Sequence, residues 1–282
     1  MIKIRAHAKI NLSLDIVGKR ENGYHDLCMV MQSIRLADEI TLKPQKDISV
    51  KCDLRFLPCD DRNIAYRAAR LFMEEIGASS GIGIEIKKQI PVGGGLGGGS
   101  ADAAAVLMGL NRMHGFIVPF ERLLEIGLAC GADVPFCMTG GTCLAEGLGE
   151  KLTALPPMPH CHILLLRPQF PLSTKKIFSL VDLQKIHFHP DTKGIINALH
   201  NRDLEGISVR LFNCLEEFVP RPEIAEYKRL LLAENADAAL MTGSGSVVYG
   251  IFHSLEKATA AKEKFANMGL RPYLTTPISA IF

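Results

Sequence analysis

The stretch Pro91-Val-Gly-Gly-Gly-Leu-Gly-Gly-Gly-Ser-Ala-Asp-Ala-Ala-Ala105 decides how the surrounding chain folds. Six of the seven residues at 93–99 are glycine. So dense a run is unfavourable inside a helix or a strand, because each ordered glycine loses extra backbone entropy. Glycine instead permits positive φ angles and a close approach of the backbone to a ligand. The run therefore predicts a loop whose backbone makes the contacts.

The residues on either side predict a strand before this loop and a helix after it. Ile82, Ile84 and Ile86 recur at the period of a half-buried strand. Ser100 is a candidate N-cap, and residues 103–113 have a helical composition. Free amides and the dipole at such a helix start favour an anion, so the strand, loop and helix together predict a phosphate site. A glycine-rich turn without a ligand is the alternative.

Three glycine-loop patterns compete for this stretch. The pattern G-x-x-x-x-G-K-[ST] nearly fits residues 93–100, but Gly99 occupies the lysine position and supplies no cation. The pattern G-x-G-x-x-G fits, but a dinucleotide fold needs an acidic residue ending a second strand about 20 positions later. Residues 118–122 begin another helix instead. The third pattern is the loop of the galactokinase, homoserine kinase, mevalonate kinase and phosphomevalonate kinase superfamily.

Composition limits the classes of function. The 282 residues suffice for two domains, and a net charge of +2 provides no basic surface for nucleic acid. Because the N-terminus begins in strand-like sequence, no signal peptide is expected, and no apolar run approaches the roughly 20 residues of a membrane span. The eight cysteines form no C-x-x-C pair, which indicates reduced thiols in a cytoplasmic protein.

The sequence identifies no metal ligands. The pairs His160/His162 and His187/His189 are spaced for one face of a strand. No carboxylate or cysteine is grouped with them, so surface or core histidines are favoured over a metal site.

The Pro-rich segment 155–159 is the best candidate linker. It predicts an N-terminal domain over residues 1–155 and a C-terminal domain over 156–282. Helices are predicted over residues 195–200, 204–219, 222–235 and 255–268. With strands around them, the C-terminal half follows a β-α-β-β-α-β order in part, which predicts a ferredoxin-like layer of helices on an antiparallel sheet.

Several polar residues in apolar surroundings are candidates for a site, each with a structural alternative. Lys9 and Asn11 share one face of a strand, where a solvated face with an extended lysine is the favoured interpretation from that stretch alone. Asp133 follows the end of a helix and is either a cap or a site residue. Tyr24 and His25 either pack or recognise a flat heteroaromatic ring.

Taken together, these stretches resemble the 4-diphosphocytidyl-2-C-methyl-D-erythritol kinases, a family of the superfamily above (GHMP kinases). The motifs that carry the resemblance run in the family's order over nearly the whole chain: Ala8-Lys9-Ile-Asn11-Leu, Gly18-Lys-Arg-x-x-Gly23-Tyr24-His25, Arg62-Asn63-Ile-Ala-Tyr-Arg-Ala-Ala, residues 91–104 of the glycine stretch, Gly131-Ala-Asp133-Val-Pro-Phe, Ala145-Glu-Gly-x-Gly-Glu150 and Met241-Thr-Gly-Ser-Gly-Ser. One departure is Ala101, where many members carry a second serine.

The resemblance implies an α+β, two-domain fold, with an N-terminal domain like ribosomal protein S5 domain 2 and a ferredoxin-like C-terminal domain. It implies ATP-dependent phosphorylation of the 2-hydroxyl of a methylerythritol cytidine diphosphate derivative, with ATP and Mg²⁺ required. Neither nucleic acid nor a membrane is expected as a partner. The protein is expected to be a monomer or a weak homodimer. Another kinase of the superfamily or a non-catalytic nucleotide sensor are the alternatives.

The resemblance also assigns roles to residues. Lys9 and Asp133 would be catalytic, the aspartate accepting or orienting the hydroxyl proton. Tyr24 and Phe178 would sandwich the cytosine, and His25 would read its edge. Asn11 and Thr174 would position the acceptor end of the substrate. Nucleotide binding would fall to Asn63, Ile64, Pro91, Val92, Gly93, Gly94, Gly95, Leu96, Gly97, Gly98, Gly99 and Ser100.

Overall fold

The computed structural model describes residues 1–170 and 172–279. In chain order its strands are β1 (Ile2–Lys19), β2 (His25–Gln45), β3 (Ser49–Cys52), β4 (Gly81–Lys87), β5 (Thr142–Gly147), β6 (Lys151–Ala154), β7 (His162–Leu166), β8 (Phe212–Asn213), β9 (Ala238–Met241), β10 (Val248–Phe252) and β11 (Pro272–Thr275). Its helices are α1 (Ile64–Glu75), α2 (Gly98–Met113), α3 (Phe120–Cys130), α4 (Val134–Thr139), α5 (Thr174–Leu180), α6 (Thr192–His200), α7 (Leu204–Ser208), α8 (Pro222–Ala233) and α9 (Leu255–Asn267).

The first sheet is built on the long antiparallel pair β1 and β2. Its order is β3-β4-β2-β1-β8, and β5 and β6 extend it from the first half of β2. β2 therefore pairs with β5 over its N-terminal half and with β4 over its C-terminal half. The register between β1 and β2 shifts between His7 and Lys9 and again between Asn11 and Ser13. These register shifts lie on either side of Lys9 and Asn11.

Helix α2 lies directly against this sheet. Its alanines Ala103, Ala104 and Ala105 are fully buried, and their small side chains let the helix backbone approach closely. A Cβ atom added to Gly109 would lie 2.3 Å from the Cδ1 atom of Ile4 in β1. The glycine loop, at the N-terminus of α2, is thereby fixed over the middle of the sheet.

The second sheet is antiparallel in the order β11-β7-β10-β9. The first strand of this set, β7, and the third, β10, occupy the centre, with the β9-β10 hairpin on one side and β11 on the other. This is the ferredoxin-like arrangement, so the predicted α+β class and the predicted fold of the C-terminal half are confirmed. In the part of the chain that is described, no helix combines the length and apolar character needed to cross a bilayer.

The C-terminal half also joins the first sheet. β8 pairs parallel with β1 through Ser13 and Phe212, and Pro277 forms a β-bridge with Ile34. Residues 155–161 between β6 and β7 are irregular, in agreement with a linker. The boundary after residue 155 stays a prediction, because strands from beyond it complete the N-terminal sheet.

The predicted helix over residues 204–219 is wrong. Helix α7 ends at Ser208, β8 follows, and residues Cys214–Phe218 form a 3₁₀ turn. The side-chain amide of Asn213 donates at 2.8 Å to the carbonyls of Met241 and Gly243, and its oxygen accepts from the N–H of Leu215. These long-range hydrogen bonds hold an extended conformation that the local apolar pattern does not indicate.

Candidate active site

A cleft of about 1220 Å³ opens between the glycine loop, β1, the β1-β2 connection and residues from the C-terminal half. The predicted site residues that line it are Lys9, Tyr24, His25, Asn63, Ile64, all ten residues from Pro91 to Ser100, Asp133, Thr174 and Phe178. Asn11 is fully buried and does not line the cleft. The structure thus brings residues from six separate stretches of sequence to one cavity.

The glycine loop has the conformation that only glycine adopts without strain. Gly93, Gly95 and Gly97 have φ angles of 73°, 79° and 67°. Gly97 is the N-cap of α2, and no side chain caps this helix. The predicted N-cap Ser100 is therefore wrong, because a left-handed Gly97 lets the helix begin three residues earlier. The amides of the first turn have no partner within the helix and are available to an anion.

Contacts on two sides hold this loop in place. The N–H of Lys9 in β1 donates to the carbonyl of Leu96 at 3.0 Å. On the other side, the N–H of Val247 donates to the carbonyl of Gly94 at 3.2 Å. A Cβ on Gly95 would lie 2.1 Å from the carbonyl oxygen of Thr242, so the turn at residues 242–246 packs directly on the loop. Both halves of the chain therefore fix the position of the loop.

Lys9 points into the cleft and is buried, so a solvated face with an extended lysine is the wrong interpretation of this strand. Its ammonium donates to the Oδ1 atom of Asn11 at 2.8 Å and lies 3.9 Å from the Oδ2 atom of Asp133. Asp133 occupies the N-cap position of α4 but makes no capping hydrogen bond with its side chain. Its carboxylate is 35% exposed on the cleft side and faces the lysine.

Tyr24, His25 and Phe178 line the cleft and define its aromatic end. The rings of His25 and Phe178 lie 5.6 Å apart and are tilted by 33°, while Tyr24 is 63% exposed. Burial, with a contribution from the nearby charge of Lys19, lowers the pKa of His25, which favours a neutral imidazole. Its Nε2 atom is buried without a hydrogen-bond partner. The site thus has two neighbouring aromatic rings, and one buried ring nitrogen of His25 lacks a hydrogen-bond partner.

The polar atoms of Asn63 are engaged in the fold. Its Oδ1 atom accepts from the N–H of Ala65 and caps α1, and its Nδ2 atom donates to the carbonyl of Pro58 at 2.8 Å. Ile64 packs beside the loop, since a Cβ on Gly99 would lie 3.3 Å from its Cδ1 atom. Ile64 therefore supplies an apolar wall, and the side chain of Asn63 is held in place by these two hydrogen bonds.

Other cleft residues were not identified as site residues from the sequence. Gly243 and Ser244 enter from the C-terminal half, and the Ser244 hydroxyl is 2.8 Å from that of Thr174. Lys88 and Asp102 line the cleft beneath the loop. Their nearness to the glycine stretch was the only sequence signal. Among the described residues, no group of three or more His, Cys, Asp or Glu side chains is placed to hold a metal ion.

The chain is similar to known kinases over nearly all of its length. Residues 63–141 match the model of the GHMP kinases N terminal domain, and residues 194–270 match that of the GHMP kinases C terminal domain. A 4-diphosphocytidyl-2-C-methyl-D-erythritol kinase from Lachnoclostridium phytofermentans is 43% identical over 277 residues, which is 97% of this chain and 94% of the relative. The chain belongs to the 4-diphosphocytidyl-2-C-methyl-D-erythritol kinase family.

Further similarities agree with this family. A relative of the same description from Acetivibrio thermocellus is 42% identical and covers 98% of this chain and 99% of its own length. A crystal structure of 4-(cytidine 5'-diphospho)-2C-methyl-D-erythritol kinase superposes with a TM-score of 0.84 at 31% identity, covering 99% and 100% of the two chains. A homoserine kinase from Cytophaga hutchinsonii has a TM-score of 0.76 at 20% identity and shares the fold. The chain is therefore a kinase of the GHMP fold.

Proposed function

We propose that this kinase transfers the γ-phosphoryl group of ATP to the 2-hydroxyl of 4-diphosphocytidyl-2-C-methyl-D-erythritol. The observation that carries the proposal is the Lys9–Asp133 pair, 3.9 Å apart, in the cleft that the glycine loop and the aromatic residues also line. With the triphosphate bound at the loop and the cytosine bound at the aromatic end, the γ-phosphate and the acceptor hydroxyl would both lie beside this pair.

The transfer step follows from the residues of the cleft. The hydroxyl oxygen attacks the γ-phosphorus, the bond between that phosphorus and the β–γ bridging oxygen breaks, and ADP leaves. The carboxylate of Asp133 accepts the hydroxyl proton, and Lys9 offsets the developing charge on the phosphoryl oxygens. Asn11 acts indirectly, because its Oδ1 atom holds the ammonium of Lys9 in position.

The glycine loop would hold the triphosphate through the free amides of the first turn of α2. Magnesium is proposed to enter with the nucleotide, bound by phosphate oxygens and water, because the described residues present no carboxylate cage. When bound, it would neutralise charge on the phosphates.

The cytosine would bind at the aromatic end. Tyr24 is exposed and free to stack, and Phe178 already forms one face of the pocket beside His25. A neutral imidazole can donate from one nitrogen and accept at the other, which suits the edge of a pyrimidine. A kinase for homoserine or mevalonate does not need this pocket. The cytoplasmic location and a monomer or weak homodimer stay predictions from the sequence.

A coupled assay of ADP release tests the proposed function. We expect release that depends on 4-diphosphocytidyl-2-C-methyl-D-erythritol, and background release with homoserine or mevalonate at the same concentration. ADP release that is equal with all three compounds, or that does not depend on any of them, would contradict the proposal. Detection of the phosphorylated product by mass spectrometry excludes simple ATP hydrolysis.

A further inference from the structure

A buried charge cluster lies beneath the glycine loop and has no part in the transfer step above. It consists of Lys88, which follows β4, Asp38 in β2 and Asp102 in the second turn of α2. The ammonium of Lys88 donates to the Oδ2 atom of Asp38 and, at 2.7 Å, to the Oδ2 atom of Asp102. The three side chains are 4%, 0% and 6% exposed. One cation therefore faces two carboxyl groups away from water.

The cluster is close to the place where the phosphates would bind. Lys88 and Asp102 line the nucleotide end of the cleft. A Cβ on Gly98, the first residue of α2, would lie 3.5 Å from the Nζ atom of Lys88. At such distances in a poorly hydrated site, a change of one unit of charge acts strongly on a bound anion.

The hydrogen bonds distinguish the two carboxyl groups. Asp38 accepts from Lys88 and also from the N–H groups of Gln89, at 2.5 Å, and Ile90, at 2.8 Å. These donors satisfy an ionised carboxylate. Asp102 has Lys88 as its hydrogen-bond donor, and its Oδ1 atom is buried without a partner. A neutral Asp102 makes that unpaired buried oxygen less costly than it is in the ionised group, and it relieves the repulsion between the two carboxyl groups.

The surroundings of Asp102 also favour its protonated form. Burial raises the pKa of Asp102 to about 8, with Lys88 opposing this shift and Asp38 adding to it. Burial also disfavours the ammonium of Lys88, but Asp102 and Asp38 outweigh it and raise the pKa of this lysine. The cluster thus has one lysine that stays charged and one carboxyl group that titrates near neutral pH.

The other titratable groups near α2 do not explain a titration at the base of the phosphate site. Lys9 in β1 and Asp133 lie on neighbouring elements and face each other. The Cys137 thiol of α4 also lies on a neighbouring element, but burial raises its pKa far above the neutral range. The buried residues of α1 are apolar. Those of α3 are apolar apart from the Cys130 thiol, whose pKa burial raises to about 11. The Coulomb effects on Asp102 come from Lys88 and Asp38.

We propose that the cluster of Lys88, Asp38 and Asp102 carries one carboxyl proton when nucleotide binds, so that the base of the phosphate site has no net charge. Loss of the proton leaves one excess negative charge beneath an anionic ligand and weakens its binding. Asp102 is then a positioning residue that couples nucleotide affinity to pH. This inference rests on the proposed nucleotide site.

Calorimetric titration with the magnesium complex of the non-hydrolysable analogue AMP-PNP tests the inference. Between about pH 7.5 and about 9.5 the terminal phosphate of the ligand is already ionised, so its own titration does not interfere. We expect the affinity of the wild-type enzyme to fall by up to about tenfold for each pH unit above 8. In buffers of different ionisation enthalpy, binding near pH 9 should take up close to one proton.

Two variants localise the effect. Asp102→Asn imitates the protonated acid, and we expect it to bind the analogue with an affinity that does not decline at higher pH and with no proton uptake. Asp53→Asn is the matched control, because the exposed Asp53 accepts from the N–H of Lys88 at 3.0 Å but lies outside the cluster. It should retain the wild-type pH profile.

The alternatives give different results. A wild-type affinity that does not change with pH, without proton uptake, would overturn the inference even if Asp102→Asn failed to fold. So would an Asp102→Asn variant that keeps the wild-type decline, since the titration would then belong to another group. Failure of the wild-type enzyme to bind the analogue at any pH would contradict the nucleotide site itself, and the inference with it.

Discussion

At the scale of single residues, the proposed role of Asp133 depends on the absence of a capping hydrogen bond from its side chain. A carboxylate at the start of α4 would ordinarily cap the helix, but Asp133 makes no capping hydrogen bond and faces Lys9 instead. We expect Asp133→Asn to lower kcat by roughly 10²- to 10⁴-fold with little change in either KM, because it removes the proton acceptor and keeps the shape. Steady-state kinetics with both substrates measures this.

The matched control for this variant is Asp203→Asn. Asp203 is a genuine N-cap, accepting from the N–H of Gly206 at 2.8 Å at the start of α7, and it does not line the cleft. Asparagine is an equally good cap, so kcat and thermal stability should stay unchanged. If Asp133→Asn had a near-normal kcat and behaved like this control, the assignment of Asp133 as the proton acceptor would be wrong.

A substitution of Tyr24 tests the proposed cytosine pocket. Its ring is exposed in the absence of substrate, so its removal should cost the protein little stability. Losing one stacked face costs about 1–3 kcal/mol. We therefore expect Tyr24→Ala to raise the acceptor KM by roughly 5- to 150-fold and to leave the KM for ATP unchanged. Tyr24→Phe keeps the ring and should keep the wild-type KM, whereas an equal rise in both variants would assign the effect to the hydroxyl.

The residues that the sequence could predict are those marked by local pattern. The glycine run and the helix break before Asp133 were visible in adjacent residues, and the structure places both on the cleft. The cluster of Lys88, Asp38 and Asp102 was not predictable, because its members come from three separate elements and none is unusual in its own stretch.

At the scale of elements, the glycine loop combines two requirements that can be separated by mutation. Gly97 has a φ angle of 67°, and an added Cβ would lie 3.1 Å from the Cγ atom of Lys9. An alanine there would be strained by its backbone and would also press on the lysine. We expect Gly97→Ala to abolish nucleotide binding in calorimetry while the protein remains folded, because the N-cap conformation and the first-turn amides would shift together.

Gly77 provides the control for backbone strain alone. It follows α1 with a φ angle of 62°, and an added Cβ would meet nothing within 4 Å. Gly77→Ala should therefore lose about 1–2 kcal/mol of stability and bind nucleotide normally. Normal nucleotide binding by Gly97→Ala, with only the same loss of stability, would show that the loop does not hold the phosphates.

Elements with strong periodicity were predictable, and those set by distant contacts were not. Helix α3 and the strands of the ferredoxin-like half follow from their apolar pattern. The two-residue strand β8 interrupts an apolar stretch that resembles a helix, because it pairs with β1 and Asn213 binds the carbonyls of Met241 and Gly243. A single sequence contains no local sign of such partners.

At the scale of the whole molecule, the two halves meet at the site itself. The hydroxyl of Tyr249 in β10 donates to the carbonyl of Asn11 in β1 at 2.8 Å, and the turn at residues 242–246 packs on the glycine loop. The ferredoxin-like half therefore helps to set the position of β1, the strand that carries Lys9. The sequence predicted both halves but not this contact, since it depends on how the two sheets are joined.

Substitution of Thr242 tests whether this contact between the two halves positions the site or only stabilises the fold. Its hydroxyl accepts from the N–H of Asn11 at 3.1 Å and lies 3.5 Å from the carbonyl of Gly95. Thr275 makes an equivalent bond between the halves away from the cleft, accepting from the N–H of Leu36 at 3.0 Å. Valine at either position leaves an N–H unpaired, so Thr242→Val and Thr275→Val should each cost about 1–3 kcal/mol in thermal unfolding. We expect only Thr242→Val to lower kcat/KM, because it alone releases the strand that carries Lys9 and the loop that faces it. Equal kinetics in the two folded variants would mean that the contact at Thr242 stabilises the molecule without positioning the site.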